Sequence, residues 1–274
     1  MTWGLEIDPP PPRFTLLGRG IGLLRGLALL VLLVLGLCAL VLARGAEIML
    51  RAQSRPLAGR VVQYVCRMAL RVLGLRLRVQ GQALRGRGAI VANHCSWLDI
   101  LVLNACAPVF FVAKAEVGRW PGIGTLARLA GTVFIARVPA QAAQQKALFE
   151  SRLRAGHRLL FFPEGTSSDG LRVLPFKSTL FAAFFTPELR PLLHIQPTAL
   201  RYTAPLSQDA RFYGWWGGME FGGHFTQILC QPRQGRVDVA FGAAVALNAA
   251  QDRKTLASAC ENSVRALHQD LSLR

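Results

Sequence analysis

His94 and Asp99 stand five positions apart in the stretch VANHCSWLDI, Val91 to Ile100, where polar groups crowd between apolar neighbours. An imidazole held by a carboxylate is a general base: the acid orients one ring nitrogen and the other takes a proton. The spacing restricts how the two side chains can meet. Five residues of regular helix turn through about 500°, which points the side chains roughly 140° apart. They meet only if His94 precedes a helix and Asp99 lies in its first turn. Ser96 and Asp99 have the S-x-x-D spacing of a capping box, and Ser96 as N-cap supplies that arrangement. Read alone, the same box is an ordinary helix start, so other residues must decide.

Two further strand-like runs end in polar residues. GTVFIAR ends at Arg137, and RLLFF runs into PEGTSSDG, which places Glu164, Gly165 and Thr166 in a Pro/Gly turn. Sites in α/β sheets collect where strands end and loops begin, so three such ends point to one shared site. The nucleophile is not obvious. The chain has no G-x-S-x-G elbow and no phosphate-binding G-x-x-x-x-G-K motif. Cys95 adjoins His94, but neighbouring side chains diverge, which disfavours an acyl-cysteine. GIGTLA (122–127) mimics a dinucleotide fingerprint but follows GRWP rather than a strand. A His–Asp pair without its own nucleophile activates a group that the substrate brings.

The elements that must position these residues can be read from the apolar pattern. LRLRVQ (75–80) alternates as a strand, and AIVAN, PVFFVAK, GTVFIAR, HRLLFFPEG, LHIQPTALRY and RVDVAFG are short apolar runs. Helical patterns over 96–106, 140–155 and 176–184 lie between them. Strands alternating with helices predict an α/β domain around a largely buried sheet. Leu256, Cys260, Val264, Leu267 and Leu271 then predict a closing amphipathic helix.

Residues 26–43 carry no charge, and 18 residues of helix extend about 27 Å, close to the ~30 Å of a bilayer's hydrocarbon core. Begun at Ile21 with Arg25 snorkelling, the helix reaches across. The ARGAE that follows is a weak cleavage site, so a retained membrane helix is expected over a signal peptide. In 60–74, Arg60, Arg67 and Arg71 share one helical face opposite Val61, Val62, Val65, Ala69, Val72 and Leu73. A basic amphipathic helix beside a span predicts an interfacial helix on anionic headgroups. The expected order is a tail (1–20), a membrane helix (21–43), a basic membrane-interface segment (44–74), an α/β domain (75–245) and a C-terminal amphipathic helix (246–274).

Composition agrees with a membrane setting. Hydrophobic residues make up 52% and charged ones 17%, and 32 Lys and Arg against 15 acids give a net charge of +17. That excess calls for an anionic partner, and the hydropathy favours a membrane surface over nucleic acid. The arginines are scattered through membrane-proximal segments, without the interleaved aromatics of a nucleic-acid face. The six cysteines form no C-x-x-C pair and no zinc-ligand cluster, so reduced thiols in a cytoplasmic domain are expected. Arginines after the span, against those before it, place the bulk of the chain on the cytoplasmic side.

NHCSWLD, GTVFIAR, FPEGTSS and IQPTAL together resemble the four ordered blocks of the glycerolipid acyltransferase family typified by bacterial 1-acylglycerol-3-phosphate acyltransferase. The resemblance covers roughly residues 75 to 205, and the first and third blocks are its specific part. It implies a mixed sheet flanked by helices and tethered to an inner membrane. It also implies acyl transfer from acyl-ACP or acyl-CoA to a lysolipid hydroxyl. On this resemblance His94 is the general base and Asp99 its orienting acid. Arg137 grips the acceptor's phosphate, Glu164 holds its hydroxyls, and Gly165 and Thr166 shape the turn. Lys177, in PFKSTL, resembles a lysine often found after the third block. No metal or dissociable cofactor is implied, because a thioester already carries an activated acyl group.

One departure bears on the acceptor. The third block usually reads F-P-E-G-T-R-S, and Ser167 replaces the arginine expected to pair with a phosphate. Arg172 is the nearby cation. DGLRVLPFKSTLF and WGGMEFGGHF, the latter containing His224, resemble a branch that includes lyso-ornithine lipid acyltransferases, whose acceptor headgroup has no phosphate. The leading expectation is a 1-acylglycerol-3-phosphate type O-acyltransferase. The alternatives are acylation of a lyso-ornithine lipid and a non-catalytic lipid-binding member.

Overall fold

A computed structural model describes residues 14–120, 122–135, 142–185, 190, 193–206, 208–247 and 252–273. The chain begins with α1 (Leu16–Met49), α2 (Pro56–Leu73), β1 (Arg76–Gln80), β2 (Gly88–Ala92), α3 (Leu98–Cys106), β3 (Phe110–Lys114), α4 (Ile123–Leu129) and β4 (Val133–Ile135). It continues with α5 (Ala142–Arg154), β5 (Arg158–Phe161), β6 (His194–Thr203), α6 (Phe221–Cys230), β7 (Arg236–Phe241), β8 (Val245–Ala246) and α7 (Arg253–Ser272). Ala115–Arg119 and Ser178–Phe184 form 3₁₀ turns.

At 34 residues, α1 is about 51 Å long and outruns the uncharged stretch at both ends. The Thr15 hydroxyl starts it by accepting the Gly18 N–H at 3.0 Å. Arg25, Arg44 and Glu47 within it have partners, Arg44 and Glu47 each other at 2.7 Å. Arg25 does not snorkel; its guanidinium donates to the carbonyls of Leu229 (3.1 Å), Gln231 (2.6 Å) and Pro232 (3.3 Å) at the end of α6. Glu47, 1% exposed, accepts the Leu57 and Ala58 N–H groups at 2.7 and 2.9 Å and so caps α2. Only 6% of the most apolar 18-residue window of α1 is buried, and Leu23, Leu24, Leu27, Leu35 and Leu42 face outward. A core helix of a soluble domain would bury that surface.

Pro56 opens α2 and Gly74, with φ 78°, closes it. Its apolar arc does not lie free for a membrane surface, as the amphipathic pattern suggested. Cys66, Leu70 and Leu73 pack into the core, and the helix is covered by α1 on one side and α3 on the other. The exposed side carries Arg60, Arg67 and Arg71.

The eight strands form one mixed sheet in the order β1-β7-β6-β2-β5-β3-β4, with β8 paired to β6. The β6–β7 and β6–β8 pairs are antiparallel and the rest parallel. All five residues of β2, at the centre, are buried. Ile90 and Ala92 face α2 and α3, while Ala89 and Val91 face α5, α7 and the Ser178–Phe184 turn. Burial on both faces explains why the sequence reads as unbroken apolar runs instead of alternation.

Candidate active site

Parallel pairing sets Val91 of β2 beside Phe161 of β5. The chain therefore leaves both strands at one edge of the sheet, with His94 and Glu164 each a short step beyond. On the other side of β2, Ala92 pairs with Thr198 of β6, which carries Tyr202 to the same edge. Asn93 ties the strand end down: its side-chain amide bonds the Leu200 carbonyl at 2.9 Å and the Leu200 N–H at 2.8 Å.

His94 then lies outside the helix and Asp99 in the first turn of α3, and His94 Nδ1 meets Asp99 Oδ2 at 2.7 Å. The capping box forms only in part. The Asp99 carboxylate reaches back to the Ser96 N–H at 3.1 Å, but the Ser96 hydroxyl accepts from Leu98 at 3.4 Å and Trp97 is the residue before the helix. Asp99 is fully buried and surrounded by donors: the Cys95 N–H at 2.8 Å, the Tyr202 hydroxyl at 2.9 Å and the Cys95 thiol at 3.4 Å complete its set. An ionised carboxylate satisfies five donors and can give none back. With Asp99 accepting, Nδ1 carries the ring proton and Nε2 keeps its lone pair. The His94 ring stacks on Phe162 at 4.0 Å and 10°, and its side chain keeps 20% exposure.

The loop after β5 grips the His94 backbone on both sides. Glu164 Oε1 accepts the His94 N–H at 3.3 Å, and the Ser168 N–H and hydroxyl donate to the His94 carbonyl at 2.9 and 3.2 Å. Glu164 is 2% exposed, and burial pushes its carboxyl well above the usual glutamate range. Gly165 takes φ 71° in the turn that closes from its N–H to the Phe162 carbonyl, a conformation other residues rarely adopt. Thr166 is half-buried, with its hydroxyl on the Ser167 carbonyl at 3.4 Å. The Lys177 N–H donates to the Pro163 carbonyl at 2.9 Å, which closes the loop, and its side chain is exposed. Arg137 lies outside the described residues.

Cys95 is 1% exposed, and burial together with the Asp99 charge drives its thiol pKa well up, the opposite of an activated nucleophile. The Ser167 hydroxyl is engaged by the Trp215 carbonyl, and the Trp215 N–H donates to the Cys95 carbonyl at 2.7 Å. Arg172 pairs with the buried Asp169 at 2.9 Å. GIGTLA opens α4 after the Ala115–Arg119 turn, not after a strand. Among the described residues no cluster of three His, Cys, Asp or Glu side chains is set to hold a metal.

Tyr202, Asn93 and Ser168 are partners that the sequence left unmarked. Tyr202 and Ser168 sit at the ends of quoted blocks, but hydrogen bonds across 103 and 74 residues leave no local pattern.

A family profile described as Acyltransferase matches residues 76–201. The chain is 50% identical over 259 residues to the lyso-ornithine lipid O-acyltransferase of Rhodobacter capsulatus, covering 94% of each. It is 39% identical over 227 residues to the enzyme of the same name from Brucella abortus, covering 78% of this chain and 84% of that one. The crystal structure of the 1-acyl-sn-glycerophosphate acyltransferase from Thermotoga maritima superposes with a TM-score of 0.60 at 18% identity, over 91% of this chain and 98% of that one. That likeness is one of fold.

Proposed function

Because the chain belongs to the acyltransferase family, we propose that it transfers a fatty acyl group to the free hydroxyl of a lyso-ornithine lipid, with His94 as general base. The observation that carries the mechanism is the 2.7 Å bond from His94 Nδ1 to a buried Asp99, which leaves Nε2 free to take a proton. The substrate hydroxyl gives its proton to Nε2 as its oxygen attacks the thioester carbonyl of acyl-ACP or acyl-CoA. A tetrahedral intermediate forms, then collapses with cleavage of the C–S bond, and the imidazolium returns the proton to the departing thiolate. Asp99 stabilises the imidazolium in between. General-base help of this kind contributes about 10²–10⁴-fold.

Glu164 acts through His94 in this reading. Its carboxyl is enclosed and its Oε1 accepts the His94 N–H, so it positions the base. The acceptor is inferred from the extent of the likeness to lyso-ornithine lipid enzymes, together with Ser167. A serine bound to the Trp215 carbonyl offers no bidentate cation to a phosphate. Thr166 and Lys177, on the loop after β5, are candidate contacts for the headgroup, and Arg137 is a candidate from its place in the second block. The outward apolar face of α1 holds the enzyme at the inner membrane, and Arg60, Arg67 and Arg71 meet anionic headgroups from the cytoplasmic side.

The test is a competition. Purified enzyme receives labelled acyl-ACP with equimolar lyso-ornithine lipid and 1-acylglycerol-3-phosphate. Ornithine lipid is the expected product; preferential phosphatidic acid would overturn the acceptor assignment.

A further inference from the structure

His224 takes no part in the chemistry above, yet it is 3% exposed on α6. Burying an imidazole is costly unless a hydrogen bond offsets the lost water. Trp97 supplies that bond: its indole N–H donates to His224 Nδ1 at 2.9 Å. The donation requires Nδ1 to be unprotonated. Burial, the main cause, lowers the His224 pKa to about 4, so the ring is neutral near pH 7 and Nδ1 remains an acceptor. The Trp97 ring also meets Phe221 and Phe225 of α6 at 5.5 and 5.6 Å between centroids.

Trp97 immediately precedes α3 and follows Ser96, whose N–H binds Asp99. Any shift of Trp97 is therefore passed to the carboxylate that orients His94. At its other end α6 is held by α1. Arg25 closes three carbonyls there, and α1 comes very near: a Cβ on Gly18 or Gly22 would lie 2.6 Å from the Cys230 carbonyl oxygen or sulfur.

We propose that His224 is a positioning residue for the catalytic turn, through which the seating of α1 on α6 fixes Trp97 and, with it, Asp99. The inference rests on His94 being the base. It connects the membrane helix to the chemistry by named contacts: Arg25 to α6, His224 to Trp97, Ser96 to Asp99, Asp99 to His94.

The test uses full-length enzyme in phospholipid nanodiscs. His224→Phe fills the space without an acceptor, His224→Gln restores a carbonyl acceptor, Trp97→Phe removes the donor, and Arg25→Ala frees the end of α6. Each change except His224→Gln is expected to lower kcat about ten-fold with both KM values unchanged, the scale that a sub-ångström misplacement costs. Combining Arg25→Ala or Trp97→Phe with His224→Phe should add little, because the variants break one linkage, and His224→Gln should recover most of the rate. Additive losses, unchanged kcat in His224→Phe, or losses that track a fall in melting temperature would overturn the proposal. His94→Ala run alongside separates the two readings. If it stays active, the base assignment fails; if it is inactive while His224→Phe is normal, only the positioning role fails.

Discussion

Tyr202 donates its phenolic hydrogen to Asp99 Oδ1 at 2.9 Å, while His94 Nδ1 occupies Oδ2 at 2.7 Å. One carboxylate thus joins a residue of β6 to the turn that follows β2. The phenol is buried, and burial followed by the Asp99 charge drives its pKa well up, so it stays a donor at every working pH. Tyr202→Phe removes the donor and keeps the ring. The expected cost is about 2 kcal/mol of stability, as for a lost bond to a charged group, read by denaturant unfolding. The loss in kcat should be smaller than for Asp99→Asn, because the His94–Asp99 bond survives.

Glu164 sets a pH dependence of stability. Its folded pKa lies above the unfolded value, with burial the largest cause. The folded state therefore binds more protons than the unfolded one between those two values. No penalty applies below the ordinary glutamate pKa of about 4.3, and stability is lost as pH rises from there toward the folded value. Glu164→Gln mimics the protonated acid and keeps an oxygen for the His94 N–H. Its melting temperature is expected to match the wild type near the ordinary glutamate pKa of about 4.3 and to exceed it increasingly as pH rises toward the folded value, with acyl transfer retained. Glu164→Ala, which leaves the His94 N–H without that acceptor, is expected to lose rate.

Cys95 separates direct transfer from a covalent relay. Its thiol is buried and donates to Asp99 at 3.4 Å. Cys95→Ala is expected to retain most of its rate, and rapid-quench mass spectrometry of the wild type should find no acyl group on the protein. An acyl adduct that disappears in Cys95→Ala would contradict direct attack by the acceptor.

Much of this site was legible in the chain. The five-residue spacing of His94 and Asp99 requires His94 outside the helix and Asp99 inside its first turn if the two are to meet, and the structure has that geometry. The strand runs AIVAN, HRLLFFPEG and LHIQPTALRY became β2, β5 and β6 because side chains buried on both faces of a central sheet leave continuous apolar stretches. What escaped notice was long-range. α2 showed a basic face and an apolar arc, and the pattern could not say whether lipid or α1 and α3 would cover the arc. Arg25 looked like a snorkelling cation because its partners are carbonyls about 200 residues later, at 229, 231 and 232. The contact of Glu164 with the His94 backbone, 70 residues away, depends on two parallel strands ending side by side and leaves no local pattern.

The most direct measurement is single-turnover acyl transfer by His94→Ala in lipid, with Asp99→Asn beside it. Loss of His94 is expected to slow transfer by about 10²–10⁴-fold with acceptor KM unchanged. Asp99→Asn should follow the same pattern to a lesser degree, because an amide can leave the ring in the wrong tautomer. Undiminished transfer by a folded His94→Ala enzyme would contradict the assignment of His94 as the base.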